Sequence, residues 1–193
     1  MNAPEARDQL DLVDRILSRA EQSTRCLSAA PFIVWGVTGT ILNLVAQLVV
    51  SHKAPPTILF VAVAALVAAI AWTIVWVRRL RGADRRTLVD RQIMISFTIA
   101  WIVALVIQLG AFQIFAQWAQ AAIWSVMEGA AMLSVGVLVG VRAVVIGGAL
   151  LLVSVVAANF AIPYAGFVLA LGDLIGMAGA GALLYAGGRA SDG

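Results

Sequence analysis

The chain has one cysteine, one histidine and one lysine among 193 residues. Cys26 alone cannot form a disulfide within the chain. With His52 it leaves too few ligands in one subunit for paired-histidine haem, an iron–sulfur cluster or a His/Cys zinc centre. The two sit at opposite ends of the first long apolar run, which argues against a Cys–His catalytic pair. Charge is also scarce, at 12% of residues against 62% hydrophobic ones. No glycine-x-serine-glycine motif with a histidine base is present, nor a phosphate-binding glycine loop. Gly172-Asp173 is similar to the Gly-Asp of intramembrane aspartyl proteases. Their preceding glycine is replaced by Ala170, however, and their second aspartate has at best Glu128 in its place. No catalytic residue, cofactor or resident metal is therefore expected.

What the chain has in abundance is long apolar sequence. Six runs, at about 31–51, 57–77, 92–116, 117–141, 143–162 and 165–187, each hold about 20 residues or more. That length crosses a hydrocarbon core of about 30 Å at about 1.5 Å per helical residue. The mean hydropathy of +0.98 is too high for a soluble domain of this size. Unbroken apolar runs, without alternation, point to helices and not barrel strands. The expected fold is all-α: a polytopic bundle of six transmembrane helices over 31–188, with a short tail at 189–193. Residues 1–30 read as a separate amphipathic helix. There Leu10, Val13, Leu17 and Ala20 recur at three- and four-residue spacing beside Ile16, and opposite charges pair at Arg7/Asp11, Asp11/Arg15 and Glu21/Arg25. The alternation of sides permits a three-plus-three inverted arrangement, but no sequence repeat links the halves.

If all six runs span, every arginine falls on one side. Arg7, Arg15, Arg19 and Arg25 join Arg78, Arg79, Arg81, Arg85, Arg86, Arg91, Arg142 and Arg189; only Lys53 lies opposite. The positive-inside rule makes the arginine side cytoplasmic. A multi-pass protein of the plasma membrane, with both termini inside, is the expectation. The pI near 9.8 follows from this asymmetry and does not call for nucleic acid as a partner. Arg78, Arg79, Arg81, Arg85, Arg86 and Arg91 are placed to contact anionic headgroups at the inner leaflet.

Polar residues inside the apolar runs are the local clue to function, because a charge near mid-membrane costs about 2.5–3.5 kcal/mol on insertion scales. Glu128 and Asp173 lie about eight or nine residues in from the outer ends of their runs, about 12–14 Å deep. Asn43 and Gln108 fall at the same depth. These four form a candidate proton or cation site. Gln47, Gln113 and Asn159 lie shallower and are candidates for an outer access route. The competing reading is structural: acids and amides bonding across helices to hold the bundle. Gly136-x3-Gly140 and Gly172-x3-Gly176 fit close helix packing. Two functions stay open: a small transporter or channel-like protein, or a non-catalytic scaffold engaging a cytoplasmic partner through its N-terminal helix and basic inner loop. A homo-oligomer fits either.

The segments DQLDLVDRILSRAEQST and WGVTG near the start resemble small six-span bacterial membrane proteins of unassigned function. So do VGVRAVVIGGALLL and LALGDLIGMAGAGALLY later in the chain. The resemblance covers about half the chain. It implies a bacterial inner-membrane location and no activity.

Overall fold

A computed structural model describes residues 3–82, 88–110 and 117–190. Every regular element among them is helical. The first, α1, runs from Ala3 to Val50 without interruption. At about 1.5 Å per residue its 48 residues measure about 72 Å. The helix thus continues unbroken across residue 31, and the first stretch apolar enough to cross a membrane begins within it at Ala29. Pro31 lies inside the helix. Proline removes one backbone N–H, a loss that membrane helices tolerate when neighbours satisfy the freed group. Val13, placed on the apolar face by spacing, is exposed together with Leu12.

A 3-10 turn at Pro56–Ile58 leads into α2 (Leu59–Gly82). Next come α3 (Leu88–Gly110) and α4 (Gln117–Val139). A tight turn joins α4 to α5 (Arg142–Phe160), and a second 3-10 turn, Ile162–Tyr164, opens the last rod. That rod is α6 (Ala165–Gly172), a π-helical segment (Asp173–Ala178) and α7 (Gly179–Ala190). Four stretches are long and apolar enough to cross a membrane: Ala29–Val50, Pro56–Arg79, Arg142–Phe160 and Ile162–Gly187. Large apolar side chains such as Phe60, Val137 and Phe160 face outward, while Thr38, Asn43, Ser125, Glu128 and Asp173 are buried. Apolar outside and polar inside is the arrangement of a protein whose solvent is lipid.

The core lies where α1, α4, α5 and the last rod meet. Phe32, Met132, Leu151, Met177 and Leu184 pack there with Ala29, Val144 and Ala180. Glycines set the spacing. A Cβ on Gly148 would sit 2.7 Å from Gly129 O, and one on Gly136 would sit 2.7 Å from Val145 N. The α4–α5 hairpin therefore closes at backbone distance. Gly176 packs in the same way against Gly147 O, at 2.7 Å from its would-be Cβ. Small residues permit this approach where hydrophobicity alone does not drive helices together. By contrast α2 is peripheral, packing mainly on α1. Trp35 on α1 donates its indole N–H to Thr73 Oγ1 on α2 at 3.2 Å. Trp35 also meets Trp101 of α3 edge to face at 4.2 Å, and Trp101 meets Trp124 of α4 at 5.5 Å. This aromatic chain ties the outer helices to the core.

The two ends of the packed helices close by the same device. Gly140, with φ +72°, is left-handed, and nothing stands near its would-be Cβ. Its N–H reaches Val137 O, and Val141 N–H reaches Gly136 O. That is a Schellman cap, so Gly140 ends α4 and does not join a packing face with Gly136, correcting the small-x3-small reading of that pair. At the end of α1 His52, with φ +54°, occupies the equivalent position. His52 N–H bonds to Val49 O, and Lys53 N–H to Leu48 O.

Candidate functional site

The site forms where α1 crosses the start of the π segment. Asn43 Nδ2 donates to Asp173 Oδ2 at 2.8 Å, linking residues 130 apart in sequence. Asp173 is 2% exposed. Its other oxygen, Oδ1, is buried and has no hydrogen-bond partner among the described residues. Glu128 on α4 is also buried and lies within electrostatic reach of Asp173. Of the four residues expected to form one layer, Asn43 and Asp173 are thus in direct contact, and Glu128 is buried on α4. Gln108 lies on α3, but its side chain is outside the described set.

Glycines permit close approach on both sides of this part of the last rod. A Cβ on Gly39 would stand 2.6 Å from Asp173 Oδ2 and 2.9 Å from its Cγ. The carboxyl group thus rests on bare α1 backbone. On the opposite flank Gly172 abuts the Ser154 side chain of α5. Ser154 Oγ donates to Leu151 O of its own helix at 2.7 Å.

The π segment begins at Asp173. At its far end Gly179 N–H reaches Leu174 O, five residues back. A π turn inserts one residue into the helical ladder and so disturbs the partners of nearby carbonyls; such turns are rare and frequent at functional sites. Thr40 Oγ1 attends to one of these carbonyls. Thr40 Oγ1 donates to Gly36 O of its own helix at 2.8 Å and shares that hydrogen with Ala170 O across the interface at 3.2 Å. Gly36 approaches the other end of the segment, where its would-be Cβ stands 2.9 Å from Ala178 Cα. Neither the π turn nor the roles of Gly39 and Thr40 was read from the sequence. The signal was present in the Gly36-x2-Gly39 spacing of WGVTG, one helical turn apart.

Two of the three residues expected to line an outer access route, Gln47 and Asn159, make hydrogen bonds within the protein. Gln47 Nε2 donates to Pro163 O at 2.8 Å, and Gln47 Oε1 accepts from Gly166 N–H at 2.8 Å. Gly166 N–H is one of the free donors at the start of α6, so Gln47 caps that helix from across the interface. Asn159 is exposed and donates to Val155 O of its own helix at 3.0 Å. Gln113 lies outside the described residues. Arg78 and Arg79 are exposed near the end of α2. Arg85 and Arg86 lie outside the described residues, as do the side chains of Arg81 and Arg91. Among the described residues no group of three or more His, Cys, Asp or Glu side chains could hold a metal ion.

Fold and site together define a class: an all-helical protein with four helices fit to cross a membrane and a buried carboxyl–amide pair between two of them. The chain matches no known protein family, no curated protein and no solved structure. The likeness to small six-span bacterial membrane proteins therefore rests on the quoted segments alone.

Proposed function

We propose that the chain is a small six-span integral membrane protein of the plasma membrane that acts as a transporter or channel-like protein with an acidic ion site at Asp173 and Glu128. The observation that carries this reading is Asp173 Oδ1: a buried carboxylate oxygen left unbonded while its twin is held by Asn43. A buried polar atom without a partner is costly in apolar surroundings, so packing alone is a poor reason to keep it. An ion that visits this oxygen supplies the missing partner. The second acid, Glu128, lies close enough to sense the charge at Asp173.

The six-span arrangement is supported by α3 and α4, which are 23 residues each. With six spans the twelve arginines share one side, and both termini are cytoplasmic. A second reading, a scaffold for a cytoplasmic partner, draws on residues 11–15 of α1, all exposed on a helix continuous with the first span.

The test is ion flux in proteoliposomes, comparing the unmodified chain with Glu128→Gln/Asp173→Asn, with folding checked by size exclusion. Flux lost in a folded double mutant supports the ion site. No flux with any common cation or pH gradient overturns it and favours the scaffold.

A further inference from the structure

Resting on the ion-site reading above, we infer that the ligand is the proton, that Asp173 Oδ1 is the atom that takes it up, and that Asn43 is the positioning residue that keeps this oxygen free. The two carboxyl oxygens are not equivalent. Oδ2 faces Gly39 and accepts from the Asn43 amide at 2.8 Å. An N–H donor on one oxygen holds the carboxyl plane and leaves the lone pairs of the other available. Oδ1 has no partner among the described residues. Adding a proton there converts the carboxylate to the neutral acid and leaves the Asn43 bond intact; releasing it restores the carboxylate. No other bond forms or breaks.

A metal cation asks for more than this site offers. Hard cations such as Ca²⁺ and Mg²⁺ take about six or more oxygen ligands. Around Asp173 the neighbouring groups are committed. The Ser154 hydroxyl bonds to Leu151 O, and Thr40 bonds to Gly36 O and Ala170 O. From α1 the facing groups are Asn43 and Gly39, and from α5 the neighbour of Gly172 is Ser154. From α4 the one titratable group in reach is Glu128. The Asp173 carboxyl lies directly against the α1 backbone at Gly39, which leaves little room on that side for a shell of oxygens. A proton needs one lone pair and no shell.

The test uses the full chain in two forms. In phosphatidylethanolamine/phosphatidylglycerol vesicles, decay of an imposed pH gradient is read with an entrapped pH dye, in sodium, potassium or choline buffer. In detergent, infrared difference spectra follow the carboxyl C=O band as pH is stepped. The expected result is proton flux independent of the cation supplied, falling about ten-fold or more in Asp173→Asn, the effect of losing one charge-assisted interaction. The chain has ten carboxyl side chains, so the Asp173 component is the part of the pH-dependent band that is missing from the Asp173→Asn spectrum. That component should titrate at a different pH in Asn43→Ala and stay unchanged in Ser134→Ala, an exposed hydroxyl bonded to its own helix. Should Asp173→Asn fail to fold, Asp173→Glu in protein labelled with carboxyl-¹³C aspartate removes one labelled carboxyl while keeping an acid, and isolates the same component. Flux that requires sodium or potassium, with no titrating Asp173 component, overturns the proton assignment and leaves an ion site standing. No flux and no titrating Asp173 component overturns both. A band that ignores Asn43→Ala overturns the positioning role.

Discussion

Asp173 holds one oxygen against Asn43 and Gly39 and leaves the other unbonded, and single atoms decide how that geometry responds to change. Gly39→Ala would put a methyl group 2.6 Å from Asp173 Oδ2. Overpacking of this kind costs about 1–3 kcal/mol. We expect a lower thermal midpoint in detergent and a flux defect resembling that of Asn43→Ala, since both dislodge the same oxygen. His52 is a different case. It holds φ +54° at the end of α1, a region that L residues enter at a cost of roughly 1–2 kcal/mol. His52→Gly is expected to raise stability by up to about 1 kcal/mol, and His52→Val to lower it, measured by thermal unfolding in the same detergent. Asn43 and Asp173 were legible as residues because polar side chains inside apolar runs stand out. Gly39 was not, because a glycine in a helix looks alike whether it faces lipid, a methyl group or a carboxylate.

Helices meet here through backbone. Gln47 is the main side-chain clamp near the α6 start, holding Pro163 O and Gly166 N–H at once. Interhelical hydrogen bonds in membranes average about 0.6 and reach about 1.7 kcal/mol. Gln47→Ala should therefore destabilise by about 1–2 kcal/mol without abolishing flux, which separates a structural amide from an access route. A flux loss in a stable Gln47→Ala protein would return it to the route. The lengths of α4 and α5 and the turn between them followed from the apolar runs and Val141-Arg142-Ala143. The π turn did not, because it depends on Gly36, Gly39 and Thr40 of a helix 130 residues away. The boundary expected at residue 31 came from a change of composition, from charged to apolar, and the first membrane-length apolar stretch begins near it, at Ala29. The helix itself runs on, because both halves have good helix formers and Pro31 removes only one N–H.

At the scale of the molecule the arginine count makes the sharpest claim. Under the six-span proposal Lys53 lies outside and the twelve arginines inside. In a Cys26→Ser background, a cysteine at Lys53→Cys should react with a membrane-impermeant maleimide added to intact cells. One at Arg189→Cys should react only after permeabilisation. The reverse pattern would invert the topology, and labelling of both from outside would mean an odd number of spans. The all-helical character and the presence of helices fit to cross a membrane were the most legible part of the chain, since long apolar runs are properties of whole segments. How the segments pack is set by contacts between distant residues, which run length and charge do not encode.

The glycine contacts also foretell which defects can be repaired. Gly176 faces Gly147 O, and Gly181 faces Ala29 O, so an added side chain in either place strikes a carbonyl that no substitution can shrink. A screen for compensating second mutations should return none at those contacts. Gly39 faces a side chain, and a loss there has a partner, Asp173, that selection can trim to restore the fold, though not the proton chemistry.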